Sequence, residues 1–502
     1  MIDGLKPYPA YKDSGVAWLG EVPEHWEVRR LKWCTELNPS RTEARESLTA
    51  NTTVTFLPME RVAADGRIDT RDQRAAFTVW NGFTYFRRRD VLVAKITPCF
   101  ENGKGACLDA LPTEIGFGST EFHVLRAKSS SVLPQFLYRL TTISEFRRLG
   151  ANTMTGAAGQ QRVPQAFIAN FQVGLPPLSE QAAIVRYLDY VDKKIRQYIR
   201  AKQKLIKLLE EQKQAIIHRA VTGQIDVRTG QPYPAYKPSG VEWLGDVPEH
   251  WESCGLKRVL SRSIRNGLFK KKDSFGSGVP LVNVADVYRE DFRVAFEGLD
   301  RVQATPSEVQ DFQVQLGDIF FVRSSLKLEG TGRSAVALEC PQDTVFECHL
   351  VQARPNQQRV DPLFLVTQLN SFGLRHYLIS RTNVVTMATI AQDVIATCPL
   401  WLPPLREQID ILRFIHKEMA DLDKTTRANQ RSIDLLREYR TRLIADVVTG
   451  KLDVREAAAK LPAIEDVPAP IDELEALDTT SDGVDEQLLD EVNGEAEGDD
   501  AD

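Results

Sequence analysis

His25 and His250 occupy identical surroundings, each between Glu and Trp in the tetrapeptide "PEHW". Imidazole is the commonest general acid-base group and metal ligand. Here each stands alone, with no Cys, His or carboxylate partner at ligand spacing, so packing or capping is the expected role. The chain carries no G-x-x-x-x-G-K-[ST] phosphate loop, no H-E-x-x-H and no G-x-S-x-G elbow. "DSFGSGVP" from Asp273 has the F-x-G-x-G spacing by which methyltransferases hold a methyl donor. Lys270 to Lys272 precede it where a buried strand should stand, and no Asn-Pro-Pro-aromatic tetrapeptide occurs. It is expected to be a glycine turn entering a strand "VPLVNVADV". Seven cysteines, without a C-x-x-C pair, suit neither a disulfide frame nor a structural zinc. The expectation is a non-catalytic chain that binds no metal or cofactor of its own.

Charge points to a partner. The formal net charge is −6, yet the segment from Glu456 to Asp502 holds 17 Asp and Glu against the single Lys460. The body before it is therefore basic by 10 charges. A basic body suits a polyanion, although an ordinary solvated surface could carry the same excess. The acidic segment, rich in Ala and Pro, is predicted to be disordered over 451–502. No apolar run approaches the roughly 20 residues of a membrane helix, which leads us to expect a cytoplasmic protein.

What would position such chemistry is written twice. "YPAYKDSGVAWLGEVPEHW" from Tyr8 and "YPAYKPSGVEWLGDVPEHW" from Tyr233 differ at 3 of 19 positions. A second pair, from Leu175 and from Leu402, aligns without a gap for 54 residues with 22 identities. The offsets, 225 and 227, are nearly equal, so the material between the repeats has nearly the same length in both halves. The Leu175 copy places Ile184, Leu188, Val191, Ile195, Tyr198, Leu205, Leu209 and Ile216 at alternating steps of four and three, a coiled-coil seam. Lys202 is a polar member, and Asn429 takes its place in the second copy. Either this pair sets register or both point to solvent. Ser179 is expected as N-cap and Gly223 as C-terminal stop. Between the repeats, "VTFLPMERV", "DVLVAKI", "GVPLVNVADV" and "GDIFFVRSS" read as strands. "RDVLVAKITPCFENGKGA" from Arg89 resembles "GDIFFVRSSLKLEGTGRSA" from Gly317, allowing one inserted residue.

The doubled "YPAYKxSGVxWLGxVPEHW", the "LPPLxEQ" entry and the "VTGxxDVR" exit together resemble the specificity subunit of type I restriction-modification enzymes over roughly residues 1–455. The resemblance implies α/β (α+β) recognition domains in tandem duplicate, separated by two long antiparallel coiled-coil helices; the disordered acidic C-terminal tail is expected from composition alone and lies beyond it. It implies a first recognition domain within 1–177, a spacer helix over 178–223, a linker and second recognition domain over 224–404, and a distal helix over 405–450. Each domain would read one half of a bipartite asymmetric double-stranded DNA site, with the helices setting the gap. Two modification subunits would methylate adenine N6 with S-adenosylmethionine. Up to two restriction subunits would add ATP- and Mg-dependent translocation and cleavage. Two other readings stay open: a specificity protein of another phage-defence methyltransferase complex, and a coiled-coil scaffold without DNA.

Base reading needs forked or amide side chains on loops, whereas phosphate contact needs only Lys or Arg. The candidates for DNA contact are Arg87, Arg88, Lys95, Lys104, Gln160, Gln161 and Arg162 in the first half. Lys270, Lys271, Lys272, Arg323 and Arg333 are those of the second. Glu180, Gln181, Glu407 and Gln408, at the helix entries, are candidates for contact with the modification subunits, with helix capping as the alternative. The second "YPAYK" segment follows directly on the first helix, whereas the second helix is followed only by the tail. The chain ends are therefore expected to meet, bringing Tyr8 to Val454 in a pseudo-twofold cyclic organisation, with Trp18, Trp26, Trp243 and Trp251 as apolar anchors.

Overall fold

A computed structural model describes residues 5–49, 52–157 and 159–462. Two compact units emerge, one of residues 1–191 with 442–502 and the other of residues 192–441. Most of the acidic tail lies outside the described residues.

In the first unit the strand Val91–Ala94 is buried at every position, which is why it reads as an unbroken apolar run. It lies between Phe122–Ala127 and Gly105–Cys107, with Thr35–Leu37 beyond Phe122–Ala127. A second sheet runs Gln73–Ala75, Thr53–Leu57, Ile115–Gly118, Thr84–Arg87, its inner pair parallel. Helices Pro134–Thr141 and Ser144–Ala151 bury Phe136, Leu137, Leu140 and Phe146. The strand Gln172–Leu175 pairs with Glu27–Arg30 and delivers the chain to Pro176 and Pro177.

The second unit uses the same order. Ile319–Val322 lies between Leu350–Ala353 and Ser334–Val336, with Arg265–Asn266 outermost. A three-stranded sheet runs Asp300–Val302, Phe275–Val282, Val345–Phe346, the last two parallel. The glycine stretch at Asp273 does not form a turn ahead of this strand. Gly276 and Gly278 lie within it at φ +94° and +105°, where the register shifts as a bulge. The strand stops at Val282, and "VADV" forms the helical turn Val284–Val287, closed by an Asn283–Asp286 capping box.

The two long helices, Leu178–Val221 and Leu405–Val448, have 44 residues each, or about 65 Å at 1.5 Å per residue. The first begins at Leu178, so Ser179 is inside it. Pro177 fills the capping position, its carbonyl accepting the N–H groups of Glu180 and Gln181 at 2.9 and 3.0 Å. Both helices stop at a left-handed glycine, Gly223 and Gly450. A Cβ there would stand 2.3 Å from Pro248 Cδ and 2.4 Å from Pro23 Cδ, so the prolines of each "VPEHW" pack where only glycine fits. Within the second unit the helices pair antiparallel: Asp192 takes Arg440, Lys202 Nζ donates to Asn429 Oδ1 at 3.1 Å, and Lys213 meets Asp423 at 2.6 Å. The two polar seam residues thus bond each other. The apolar seam is interrupted there: Tyr198 and Leu205 are 61% and 42% exposed, because polar pairs occupy the contact line.

The N-terminal segment docks on the end of the second helix, all within the first unit. Asp453 N–H donates to Lys6 O at 2.8 Å, Tyr11 OH to Gly450 O at 3.2 Å, and the Arg455 guanidinium stands 5.1 Å from the Tyr8 ring. Residues 451–462 are accordingly folded, which shortens the expected disordered segment. A short helix Arg455–Ala459 buries Ala458, and Arg186 holds the Leu461 carbonyl at 2.9 Å.

Candidate nucleic-acid interface

Both central strands start from a buried aspartate. Arg126 Nε and Nη2 donate to the two oxygens of Asp90, each at 2.8 Å, and Arg87 N–H reaches Asp90 Oδ2 at 2.9 Å. In the second unit Arg354 donates to Asp318 at 2.7 and 2.8 Å, and Gln315 N–H at 2.7 Å. Arg89 and Gly317, both left-handed, make the matching turns. A buried carboxylate needs this bidentate partner and backbone donor to offset its desolvation. The aspartates were visible in the aligned runs; their arginine partners, 36 residues further on in each unit, carried no local signal.

At its far end each strand delivers a cation. Lys95 N–H donates to Glu121 O at 2.9 Å and Lys95 O accepts from Val163 N–H at 2.8 Å; for Arg323 the partners are His349 O at 2.7 Å and Ile390 N–H at 3.0 Å. A hairpin crosses here in both units. In the first, Arg162 pairs with Thr155 and Ile96; in the second, Thr389 pairs with Asn383 and Ser324. The tips differ, exposed Gln160 and Gln161 against Val384 and Val385. Beside Lys95 a polar cleft of about 360 Å³ is lined by Asn38, Arg41, Tyr85, His123 and Gln165.

The candidates do not form one patch. Arg87 and Arg88 lie before the central strand and Lys95 after it, about 13 Å of extended chain away. Arg88 donates to the Leu111 and Pro112 carbonyls. Arg162 is engaged bidentately by Glu121 at 2.9 and 2.8 Å, and that hydrogen bonding holds the Glu121 carboxyl below its ordinary range. Lys270 is paired with Glu308 at 2.8 Å, Lys271 is exposed, and the Lys272 side chain lies outside the described residues. Lys104 Nζ reaches only Met59 O at 3.4 Å, and the Arg333 guanidinium stands 5.3 Å from the Tyr288 ring.

Glu180, Gln181, Glu407 and Gln408 require a correction. All four are buried, at 6%, 0%, 5% and 0% exposure, so they are internal fastenings and not a surface for a partner. Glu180 accepts from Tyr8 OH at 2.7 Å and Trp26 Nε1 at 2.9 Å and meets His25 Nε2 at 2.8 Å. Glu407 accepts from Tyr233 OH at 2.6 Å and Trp251 Nε1 at 3.0 Å and meets His250 at 2.9 Å. Burial works to raise the Glu407 carboxyl, but the three hydrogen bonds outweigh it and hold it below the ordinary value. Burial and the same bond push the Tyr233 phenol far up. Gln181 and Gln408 satisfy the backbone of their own units, including Leu133 N–H and Asp361 N–H, each at 2.8 Å. Trp26 and Trp251 are fully buried anchors, whereas Trp18 is half-buried and stacks on Phe171, and Trp243 abuts Trp401 from an exposed position.

Residues 23–208 match the family model described as the type I restriction modification DNA specificity domain. The chain is 21% identical over 443 residues to the EcoKI specificity subunit of Escherichia coli K12, covering 86% of this chain and 90% of that one. Over residues 23–208 the chain is thus similar to this DNA specificity domain. The EcoAI specificity subunit of Escherichia coli is 34% identical over 182 residues, covering 36% of this chain. The chain thereby spans only 30% of the EcoAI relative's length and 27% of the EcoEI relative's. A solved chain from a study of complex assembly and conformational transition of the type I R-M system shares the fold, with TM-score 0.65, 20% identity, and coverage of 86% of this chain and 99% of that one. Among the described residues no cluster of His, Cys, Asp and Glu could hold a metal ion, and no helix is long and apolar enough to cross a membrane.

Proposed function

We propose that this chain reads a bipartite DNA site, one half with each unit, and that it arose as a tandem duplicate closed into a pseudo-twofold ring. One observation carries the reading. The same frame, a buried Asp–Arg pair, a central strand, a cation at the strand end and a crossing hairpin, recurs in both units on unlike loop residues. A common frame with divergent tips is what two separate sequence readings require. The boundaries that go with it are recognition domains within 1–177 and 224–404 and spacer helices over 178–223 and 405–450.

The chain is read as the non-catalytic component, working in the cytoplasm. Two modification subunits bring S-adenosylmethionine, and restriction subunits bring ATP and Mg. For docking the modification subunits, exposed Tyr198, Leu205 and Leu208 on the first long helix and Leu435 on the second replace the buried entry residues. An exposed apolar stripe on a long helix is a partner surface in waiting. Sequencing of methylated adenines in the host, with and without the gene, tests the reading. Loss of one bipartite motif is expected; an unchanged set of methylated motifs refutes it.

A further inference from the structure

Four cations stand out for what they lack. Lys104 and Arg147 in the first unit, and Arg333 and Arg375 in the second, are half-buried, and none has a carboxylate partner among the described residues. By contrast Arg162 is held by Glu121 and Lys270 by Glu308.

Their placement is not scattered. Lys104 and Arg333 each follow a left-handed glycine, Gly103 at φ +73° and Gly332 at φ +71°, and lead into the strand that flanks the central one. Arg147 and Arg375 reach the same turns from the helices Ser144–Ala151 and Phe372–Ile379. A Cβ on Gly103 would lie 2.9 Å from Arg147 Nη1, and one on Gly332 would lie 3.4 Å from Arg375 Nη1. Arg375 Nη1 donates to Thr331 O at 2.9 Å and Nη2 to Glu329 O at 2.5 Å, which ties the guanidinium to the turn without neutralising it. Burial, with repulsion from Arg333 second, pushes its pKa down to about 10. Two half-buried like charges with no counter-ion are unfavourable in isolation. The same arrangement appears in both units, as it would if an anion completed it.

We propose that each pair seats one backbone phosphate of double-stranded DNA, Lys104 with Arg147 in one half and Arg333 with Arg375 in the other. The proposal rests on the DNA-reading role above and assigns Arg147 and Arg375, which the sequence did not single out. Phosphate seats position the protein without reading bases.

The test measures DNA binding by the complex with modification subunits from 50 to 200 mM salt, using Arg147→Gln, Arg375→Gln and their Arg→Lys counterparts. Each lost phosphate contact lowers the salt exponent by about 0.9, so each Gln variant should lose about 3.5-fold less affinity across that range than the native complex. Cognate and unrelated duplexes should weaken alike at low salt, the methylated motif should not change, and Lys should restore most of the binding. An unaltered salt exponent overturns the proposal, as does a change confined to one half of the motif, which would make these base-reading residues. Because Arg375 also braces its turn, Lys104→Gln, with a single long contact, supplies the same readout without that risk. A native complex that binds neither duplex at any of these salt concentrations would refute the DNA reading itself, an outcome distinct from failure of the seats.

Discussion

Replacing Glu407 should undo the entry to the second long helix, by an amount the structure lets us order. The carboxylate is 5% exposed and holds three donors: Tyr233 OH, Trp251 Nε1 and His250 Nε2. In Glu407→Ala the tyrosine and tryptophan donors stay buried without acceptors, at about 1–3 kcal/mol each, while half-exposed His250 turns to water; the expected loss is about 3–5 kcal/mol. Glu407→Gln keeps one oxygen where Oε1 stands and gives up only the charge assistance, so it should lose about 1–2 kcal/mol. The sign with pH follows from the depressed carboxyl. Its unfolded value is about 4.3; the folded value is lower. The stabilisation is therefore complete above the unfolded value and is lost as pH falls through the folded one. Urea unfolding at pH 7 and at pH 3.5, with hydrogen exchange over 405–411, reads this directly. Acid should narrow the gap between native and Gln chains. An Ala variant within about 1 kcal/mol of native, or Ala and Gln variants that cannot be told apart, would refute the reasoning.

Asp318→Ala strands Arg354 beside the Gln313 carbonyl in the second unit, and should cost about 3–5 kcal/mol in urea unfolding; a loss below about 1 kcal/mol would mean the pair is not what fixes the strand start. Gln161→Ala and Val385→Gln alter exposed hairpin tips, and each should change one half of the methylated motif with stability held within about 0.5 kcal/mol; identical effects on both halves would count against separate reading. Asn429→Leu alone leaves Lys202 facing an apolar partner and should destabilise the helix pair, whereas Lys202→Leu with Asn429→Leu should raise stability and weaken its register. Cross-linking yields between cysteines placed at residues 205 and 426, with their neighbours one turn away, would measure that register.

Much of this architecture was legible because the sequence states it twice. Heptad spacing gave the long helices, and the aligned runs "RDVLVAK" and "GDIFFVR" gave matching strands with a cation at the end of each. What repetition could not say was which way a repeated residue faces. Glu180 and Gln181 recur as Glu407 and Gln408, and that recurrence fits a twice-used partner surface as well as a twice-used internal fastening. The deciding fact is burial, and burial depends on Tyr8 and Trp26 arriving from 172 and 154 positions away. No local pattern encodes such arrivals. The same limit hid Arg126 and Arg354, whose aspartate partners stand 36 residues before them in the chain.

The cations sharpen this into a rule for chains of this kind. Counting Lys and Arg located basic runs such as Lys270 to Lys272, yet Lys270 is already paired with Glu308 and Arg162 with Glu121. An anion approaching those sites must compete with a carboxylate held at contact distance. An anion approaching Arg147 or Arg375 displaces none, and at Arg375 it relieves a repulsion from Arg333 already built in. Density of charge along the sequence is therefore a poor guide to where phosphate binds. Absence of an internal partner at equivalent places of both units is the better one, and it is a property of the fold.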